Sequence, residues 1–349
     1  VWQDVKQHVR NCTVCQAYKP ESRKMAGKLQ QTIVQNPWEM VGVDLMGPFP
    51  RSSNRNIYLL VFVDYFSRWV ELFPLRKATA QSVTKILVQD ILTRWGVPDY
   101  LLSDQGPQFV ASLFEQTCRE WNLKHKMTTA YHPQTNLTER INRTLKTMIA
   151  SYVGNNHKQW DKHLPEFRFA LNSAVNESTG VTPAELNLLR PLRGPLEAML
   201  LPRLPPPDSL SYPKIAQLSE MQGFVEKNLH KARVRQKRNY DKNRREMEFE
   251  EKARVWLRAH PLSRADKSFA AKLAPKWQGP YRVVQKKGPV NYEVVLEDTG
   301  EDLKTVHISR LKPCYPTAEE LADRYTRLLP ADVQREKHTD GTDVTHGRD

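Results

Sequence analysis

Three carboxylates of this sequence could carry metal chemistry, and one of them lies inside a predicted strand. Asp44 interrupts the apolar run MVGVDLMG, and Asp104 follows LLS where a strand gives way to a Gly turn. Strands select against Asp, and a buried unpaired carboxylate is costly. Glu139 is the third acid, in AYHPQTNLTERINRTLK. Carboxylates brought together from separate elements can hold two hard cations, usually Mg²⁺, and so promote in-line displacement at a phosphodiester.

Each acid also has a structural explanation when it is taken alone. Asp44, Asp104 and Asp64, which ends the run VFVD, are of a type that closes turns through backbone hydrogen bonds. Asn136 followed by Glu139 has the spacing of a capping box. Only convergence of the acids favours metal chemistry, so the elements that carry them decide between the two interpretations.

A helix is predicted over NLTERINRTLKTMIASYV, and it sets the direction of Glu139. Glu139 is turned by about 200° from Leu137, so it lies opposite the apolar face. On that polar side we also place Asn142, Arg143 and Lys146, and we predict that Arg143 and Lys146 contact DNA phosphates. The apolar face is predicted to comprise Leu137, Ile141, Leu145, Met148, Ile149 and Tyr152.

The surrounding elements alternate between strand and helix periods. WEMVGVDLMG, NIYLLVFVDYF and SRWVELFPL predict an antiparallel meander, after which the order continues α, β, α, β and then helices. This is a mixed α/β class with a central sheet. The proline-rich run LRPLRGPLEAMLLPRLPPPDSLSYP predicts a linker, and ARVWLRA, GPYRVVQKKG, NYEVVLED and KTVHISRLKP predict a small barrel.

The charge balance indicates a polyanionic partner. The chain of 349 residues carries a formal net charge of +14 and a pI near 9.6, and nucleic acid is the leading candidate. A solvated helical face is the alternative for the basic helix between the linker and the barrel. There is no long apolar run or signal-peptide core, and the four cysteines are scattered, so we expect a soluble intracellular protein with no membrane partner. The DNA contacts predicted in the basic helix, here called the basic cluster, are Lys231, Arg233, Arg235, Lys237 and Arg238.

Five blocks in order resemble the catalytic core of retroviral-type integrases, most closely those of gypsy-class LTR retrotransposons. They are PWEMVGVDLMGPFP, VFVDYFSRWVELFPL, GVPDYLLSDQGPQF, AYHPQTNLTERINRTL and the stretch from HLPEFRFALNSAV to GVTPAEL. KLAPKWQGPYRVV is similar to the family's GPY/F module, a small β-barrel. The resemblance implies a ribonuclease-H-like fold with a mixed five-stranded sheet and flanking helices, in which Asp44, Asp104 and Glu139 are catalytic and bind Mg²⁺ or Mn²⁺. Asp64 falls in a non-catalytic hairpin of the family.

The resemblance also implies an activity and partners. The activity is DNA 3′-end processing by water followed by strand transfer, in which the freed 3′-hydroxyl attacks target DNA. The partners are double-stranded DNA, namely the element ends and the target, and further copies of the chain in a homo-multimer. A nuclear site of action after synthesis in the cytoplasm is implied too. Two alternatives stay open: a ribonuclease-H-like nuclease, and a domesticated, catalytically inactive protein that binds DNA or a chromatin partner.

Two departures from the family pattern matter. Asp104 and Glu139 enclose residues 105–138, one residue fewer than usual, and we expect the loop at QTNLTER to absorb the difference. Cys12 and Cys15 match half of the family's His-His-Cys-Cys zinc domain, and His8 supplies at most one further ligand, so Zn²⁺ is expected only in a longer chain that carries the histidines. The predicted domains are 1–25 zinc remnant, 37–190 catalytic core, 191–213 linker, 214–250 basic helix, 251–316 barrel and 317–349 mobile tail.

Overall fold

The computed structural model describes residues 1–128, 137–200, 212–261, 263 and 269–322, with only the backbone described for 212–218. The chain divides into two compact units: one combines Val1–Gly27 with Arg244–Asp349, and the other is Lys28–Asn243. Three predictions fall on residues outside these ranges. They are the capping role of Asn136, the shortened loop before Glu139, and the mobile tail beyond residue 322.

The first unit begins with two short helices. They are α1 (Trp2–Asn11) and α2 (Thr13–Tyr18), separated by Cys12 in an extended conformation, and they are followed by β1 (Met25–Ala26).

A mixed five-stranded sheet forms the centre of the second unit and confirms the predicted fold class. Its strands are β2 (Met40–Met46), β3 (Tyr58–Asp64), β4 (Val70–Leu75), β5 (Tyr100–Ser103) and β6 (Lys124–Met127). Their order in the sheet is β4-β3-β2-β5-β6. The pairs β2·β3 and β3·β4 are antiparallel, as the meander predicts, whereas β2·β5 and β5·β6 are parallel.

Helices cover both faces of this sheet. One layer holds α3 (Ala80–Ile86), which continues through a π-helical segment (Leu87–Leu92) into α4 (Thr93–Trp95), then α5 (Pro107–Val110) and α6 (Ser112–Glu120). The other holds α7 (Leu137–Val153) and α8 (Leu164–Ser173), followed by α9 (Pro183–Leu188). Side chains alternate across β3, so Leu60 and Phe62 pack in the first layer while Leu59 and Val61 pack in the second.

The buried face of α7 differs from the predicted one. Tyr152, which is predicted on the apolar face, is 68% exposed and lies in the last turn of the helix. Thr138 and Asn142 are buried instead, together with Leu145 and Ile149. The face that meets the sheet is therefore partly polar near the amino-terminal end of the helix.

The predicted linker and basic helix need correction at their boundaries. Helix α10 (Pro195–Leu200) lies inside the predicted linker, and α11 (Tyr212–Asp241) ends before residue 250. At its last residue the Asp241 carboxylate accepts a hydrogen bond from the Leu29 N–H at 2.8 Å, and a two-residue strand follows at Arg244–Arg245. Val225 and Leu229 anchor α11 to the core, where both are buried.

The carboxy-terminal part of the first unit is a small antiparallel β structure. A two-residue strand, β7 (Arg244–Arg245), pairs with β1, and a separate sheet follows in the order β11-β10-β9-β8-β12. This five-stranded antiparallel sheet corresponds to the barrel module predicted from the sequence. No helix in the described part of the chain is long and apolar enough to cross a membrane. The strands are β8 (Arg254–Arg258), β9 (Trp277–Lys286), β10 (Asn291–Leu296), β11 (Lys304–His307) and β12 (Leu311–Pro313).

Within this unit α2 packs against the antiparallel sheet through Gln16. The buried Gln16 side chain accepts hydrogen bonds from Trp256 Nε1 and the Tyr315 N–H, each at 2.9 Å, and donates to the Tyr315 carbonyl at 3.1 Å. The buried Lys312 ammonium donates to the Gln16 carbonyl. Residues far apart in sequence therefore fold together.

Candidate active site

Parallel pairing of β2 and β5 carries the two aspartates toward the same end of the sheet. The register joins Met40 to Tyr100 and Gly42 to Leu102, and Asp44 and Asp104 each follow the last of these paired residues by two positions. Neighbouring strands lie about 4.8 Å apart, which is close enough for two carboxylates to share cations. Sequence reasoning about single strands cannot supply this register.

Helix α7 crosses the same face of the sheet and carries Glu139 in its first turn. One turn further on, Asn142 Nδ2 donates to Asp44 Oδ2 at 2.7 Å. Gly42 permits this approach, since a Cβ there would overlap the Thr138 hydroxyl and lie 2.8 Å from the Tyr65 ring. The glycine thus lets the start of α7 reach the strand that holds Asp44.

The three acids interact electrostatically. Burial raises the pKa of Asp44 to about 6, and the negative charges of Asp104 and Glu139 add to the rise. Hydrogen bonds from the Leu45 N–H at 2.8 Å and from Asn142 oppose it. A carboxylate in this position favours a neighbouring positive charge.

The acids converge but do not form a closed ligand set. In the described ranges no three His, Cys, Asp or Glu side chains are grouped closely enough to hold one metal ion. Asp104 Oδ1 accepts from the Gly106 N–H at 2.9 Å, so part of that side chain closes a turn. Mutual repulsion of carboxylates also keeps such groups apart. Beside Asp44, the buried Asn142 Oδ1 has no hydrogen-bond partner among the residues that the structure describes.

Asp64 belongs to a structural turn. It is fully buried, and its carboxylate accepts from the Trp38 N–H at 3.0 Å and from both the N–H and the hydroxyl of Ser67. Burial is the main cause that raises the pKa of Asp64. This agrees with its predicted place in a non-catalytic hairpin.

The predicted DNA contacts differ in exposure. Arg143 and Lys146 are exposed on α7, on the helix that carries Glu139. In the basic cluster, Lys231, Arg235 and Arg238 are exposed, although Arg235 pairs with Glu177 at 2.5 Å. Arg233 is half-buried and donates to the Val34 carbonyl at 3.3 Å, whereas Lys237 pairs with Asp241 at 2.8 Å and donates to the Leu29 carbonyl.

Cys12 and Cys15 lie together at the junction of α1 and α2. Hydrogen bonds from the backbone and then the side chain of Cys15 lower the pKa of Cys12, and the same thiol contact raises the pKa of Cys15. His8 is exposed on α1. The two thiols are thus adjacent, as half of a zinc site requires.

Asn142 is the site residue whose position sequence reasoning missed, because it was assigned to the solvent side of α7. The signal was present: Thr138, Asn142, Leu145 and Ile149 recur at the spacing of one helical face. A polar amide in a buried stripe indicates a polar partner across the interface.

The chain matches two known protein families, and one match falls in each of the two units. Residues 35–133 match the integrase core domain, and residues 253–315 match the SH3 domain of the Tf2-1-like type. A solved structure described as a simian T-cell lymphotropic virus intasome in complex with PP2A regulatory subunit B56 gamma covers 90% of this chain, which in turn covers 91% of that one. The TM-score is 0.55 and the identity is 17%. At this identity the likeness shows the fold.

Curated relatives include the Transposon Tf2-3 and Tf2-4 polyproteins of Schizosaccharomyces pombe. Each is 29% identical over 315 residues, which make up 88% of this chain. The match spans 23% of each polyprotein, so the chain corresponds to about a quarter of their length. The integrase core match, the SH3 match and these relatives agree in order along the sequence, and together they indicate a likeness to the retroviral-type integrases of LTR retrotransposons.

Proposed function

We propose that this chain is a metal-dependent DNA integrase that processes the 3′ ends of a retrotransposon and joins them to target DNA. The observation that supports the proposal is the electrostatic effect of Asp104, at the end of β5, and Glu139, on α7, on Asp44 of β2. Burial raises the pKa of Asp44, and the negative charges of the other two acids raise it further. An enzyme that handles phosphodiesters needs such a set of hard oxygen donors.

The donor chemistry at the site fits Mg²⁺ or Mn²⁺. All three acids offer carboxylate oxygens, and the partnerless Asn142 Oδ1 is a further neutral oxygen beside them. Asp44, Asp104 and Glu139 would hold the ions, and a bound cation would relieve the repulsion among them. When bound, a pair of divalent ions activates the attacking oxygen and neutralises the leaving one.

The remaining side chains position the acids and the nucleic acid. Asn142 and the Leu45 N–H hold the two oxygens of Asp44, while the Gly106 N–H fixes Asp104. Arg143 and Lys146 are exposed and are proposed to bind backbone phosphates next to the acids. The exposed part of the basic cluster is proposed to extend this contact along the duplex, in keeping with the net charge of +14.

The proposal extends to assembly and location. The viral neighbour is described as an intasome, and we propose that this chain likewise works as a homo-multimer on paired DNA ends. Its proposed site of action is the nucleus, where chromosomal DNA and a chromatin partner are available. A zinc ion at Cys12 and Cys15 would require further ligands from a longer chain.

The test is strand transfer of a labelled duplex that carries the element's own terminal sequence, with Mg²⁺ or Mn²⁺. We compare the chain with Glu139→Gln, and Glu166→Gln is the control because Glu166 is exposed on α8. Integrase activity predicts joined product from the chain and the control but none from Glu139→Gln. Cleavage without joining would favour a nuclease.

Absence of product from every variant would favour a DNA-binding relic if salt-sensitive binding persists. That result counts against the proposal once a version extended to restore the zinc domain is also inactive.

A further inference from the structure

The second unit (Lys28–Asn243), here called the core unit, contains a second polar feature apart from Asp44, Asp104 and Glu139. It is a cavity of about 230 Å³ between residues 29–34, the turn after β3, the first turn of α7 and helix α11. Four arginines line it: Arg68, Arg140, Arg233 and Arg235. Among its described lining residues there is one acid, Glu177, which pairs with Arg235.

Arg68 carries a positive charge that forms no ion pair with any acid in the described part of the chain. Its Nε is shielded from water and has no hydrogen-bond partner among the described residues. Burial lowers the pKa of Arg68 to about 10, and the charges of Arg140 and Arg233 contribute in the same direction. Asp64 is the nearby acid, but its oxygens accept bonds from its own turn and from the Trp38 N–H.

The backbone conformation at position 68 favours glycine, so folding does not require a cationic side chain there. The φ of +70° at Arg68 lies in the left-handed region, where glycine is favoured over residues with a side chain. The shielded Nε, which lacks a hydrogen-bond partner among the described residues, adds a second cost. Both costs would be offset by a ligand that accepts hydrogen bonds from the guanidinium, whose planar fork matches phosphate oxygens.

We propose that this cavity is a phosphate-binding site and that its ligand is a backbone phosphate of the bound DNA. The source of the phosphate rests on the proposed function. Liquid water takes about 30 Å³ per molecule, so the cavity has room for a tetrahedral oxyanion and several waters. Arg140 directly follows Glu139, and Tyr65, which also lines the cavity, accepts a hydrogen bond from the Leu137 N–H at 3.2 Å. The site therefore lies at the turn of α7 that carries the catalytic glutamate.

The decisive variant is Arg68→Gly, which removes the cation and suits the left-handed backbone. Its matched control is Arg55→Gly, since Arg55 also has a positive φ, of +67°, and is exposed away from the cavity. The variants lose the same charge and gain the same backbone freedom. Arg68→Gly should keep or raise the melting temperature, so loss of binding cannot be assigned to unfolding.

Two probes are titrated into the whole chain in metal-free buffer: inorganic pyrophosphate by calorimetry, and a short labelled duplex by fluorescence anisotropy across a salt series. We expect pyrophosphate binding by the wild type and Arg55→Gly and its loss in Arg68→Gly. Duplex affinity should fall about eightfold at 0.1 M salt in Arg68→Gly, with the salt slope reduced by about 0.9, because one phosphate contact is lost.

Each other result has a defined meaning. Pyrophosphate binding equal in both variants would overturn the site. Loss of pyrophosphate binding with unchanged duplex affinity would keep the site but overturn DNA as its ligand in favour of a free polyphosphate. Neither readout requires catalysis, so failure of this proposal is separate from failure of strand transfer in the Glu139→Gln comparison.

Discussion

Replacing Asp44 by Asn is expected to stabilise the metal-free chain at neutral pH although it removes a proposed catalytic group. Burial of the wild-type carboxylate raises its pKa, and the charges of Asp104 and Glu139 add to the rise. An amide of the same shape has no charge to desolvate. The Asn142 amide can turn so that its partnerless Oδ1 accepts from the new N–H, and the contact is kept.

The size of the gain follows from the pKa. One pKa unit corresponds to about 1.4 kcal/mol, so a rise from 3.8 to about 6 costs the folded chain about 3 kcal/mol at neutral pH. Below about pH 4 Asp44 is protonated in both states and the cost vanishes. Between about pH 4 and 6 the folded state binds more protons than the unfolded state, so stability falls as the pH rises. Above pH 6 the full cost applies.

Hydrogen exchange of the β2 and β3 amides measures this effect in the core unit. Wild type and Asp44→Asn are compared in EDTA from pH 4 to pH 8, after correction for the intrinsic exchange rate. The control is Asp64→Asn, which should destabilise by about 1–3 kcal/mol because its new amide N–H₂ would face the donors of Trp38 and Ser67. Equal stability of Asp44→Asn and wild type at pH 7, or the same gain at pH 4, would refute the electrostatic argument.

Three further predictions concern the metal ion and the packing of each unit. Mg²⁺ at tenfold excess over its Kd should stabilise the wild type by about 1.4 kcal/mol in thermal melts and leave Glu139→Gln unchanged. Glu71→Ala should lower the free energy of unfolding in urea by about 3 kcal/mol. Glu71 is only 1% exposed, and the substitution removes the carboxylate whose Oε2 lies 3.1 Å from Arg168 Nη1. Gln16→Ala should speed hydrogen exchange in α2, because it removes the acceptor of Trp256 and two further hydrogen bonds, together worth about 2–3 kcal/mol.

The order and type of the elements could be predicted because the strands and helices of the core have clear periods. The run LLVFV in β3 is buried on both sides, and it is a continuous apolar stretch as a central strand requires. Helix α7 could be predicted for the same reason, since Leu145 and Ile149 recur at helical spacing and are buried. Local pattern was sufficient wherever an element buries one uniform apolar face.

The details that decide the site depend on contacts between elements. The direction of Asn142 depends on Asp44, on a strand that is distant in sequence. The approach of α7 depends on the missing Cβ of Gly42. The hydrogen bond from Trp256 to Gln16 joins residues that are 240 positions apart in the sequence. No periodicity within one element encodes such partners, so they could not be predicted from pattern alone.

The core unit holds unneutralised charge of both signs on elements that also form its fold. Burial and then the charges of two acids raise the pKa of Asp44, while burial and then the charges of two arginines lower the pKa of Arg68. A chain optimised for stability alone would pair such groups or replace them, since each separate cluster costs free energy. The separation of the acids from the arginines is explained if each group binds a ligand of opposite charge. Cations at the acids and a phosphate at the arginines would be held at one end of α7, as phosphoryl transfer requires.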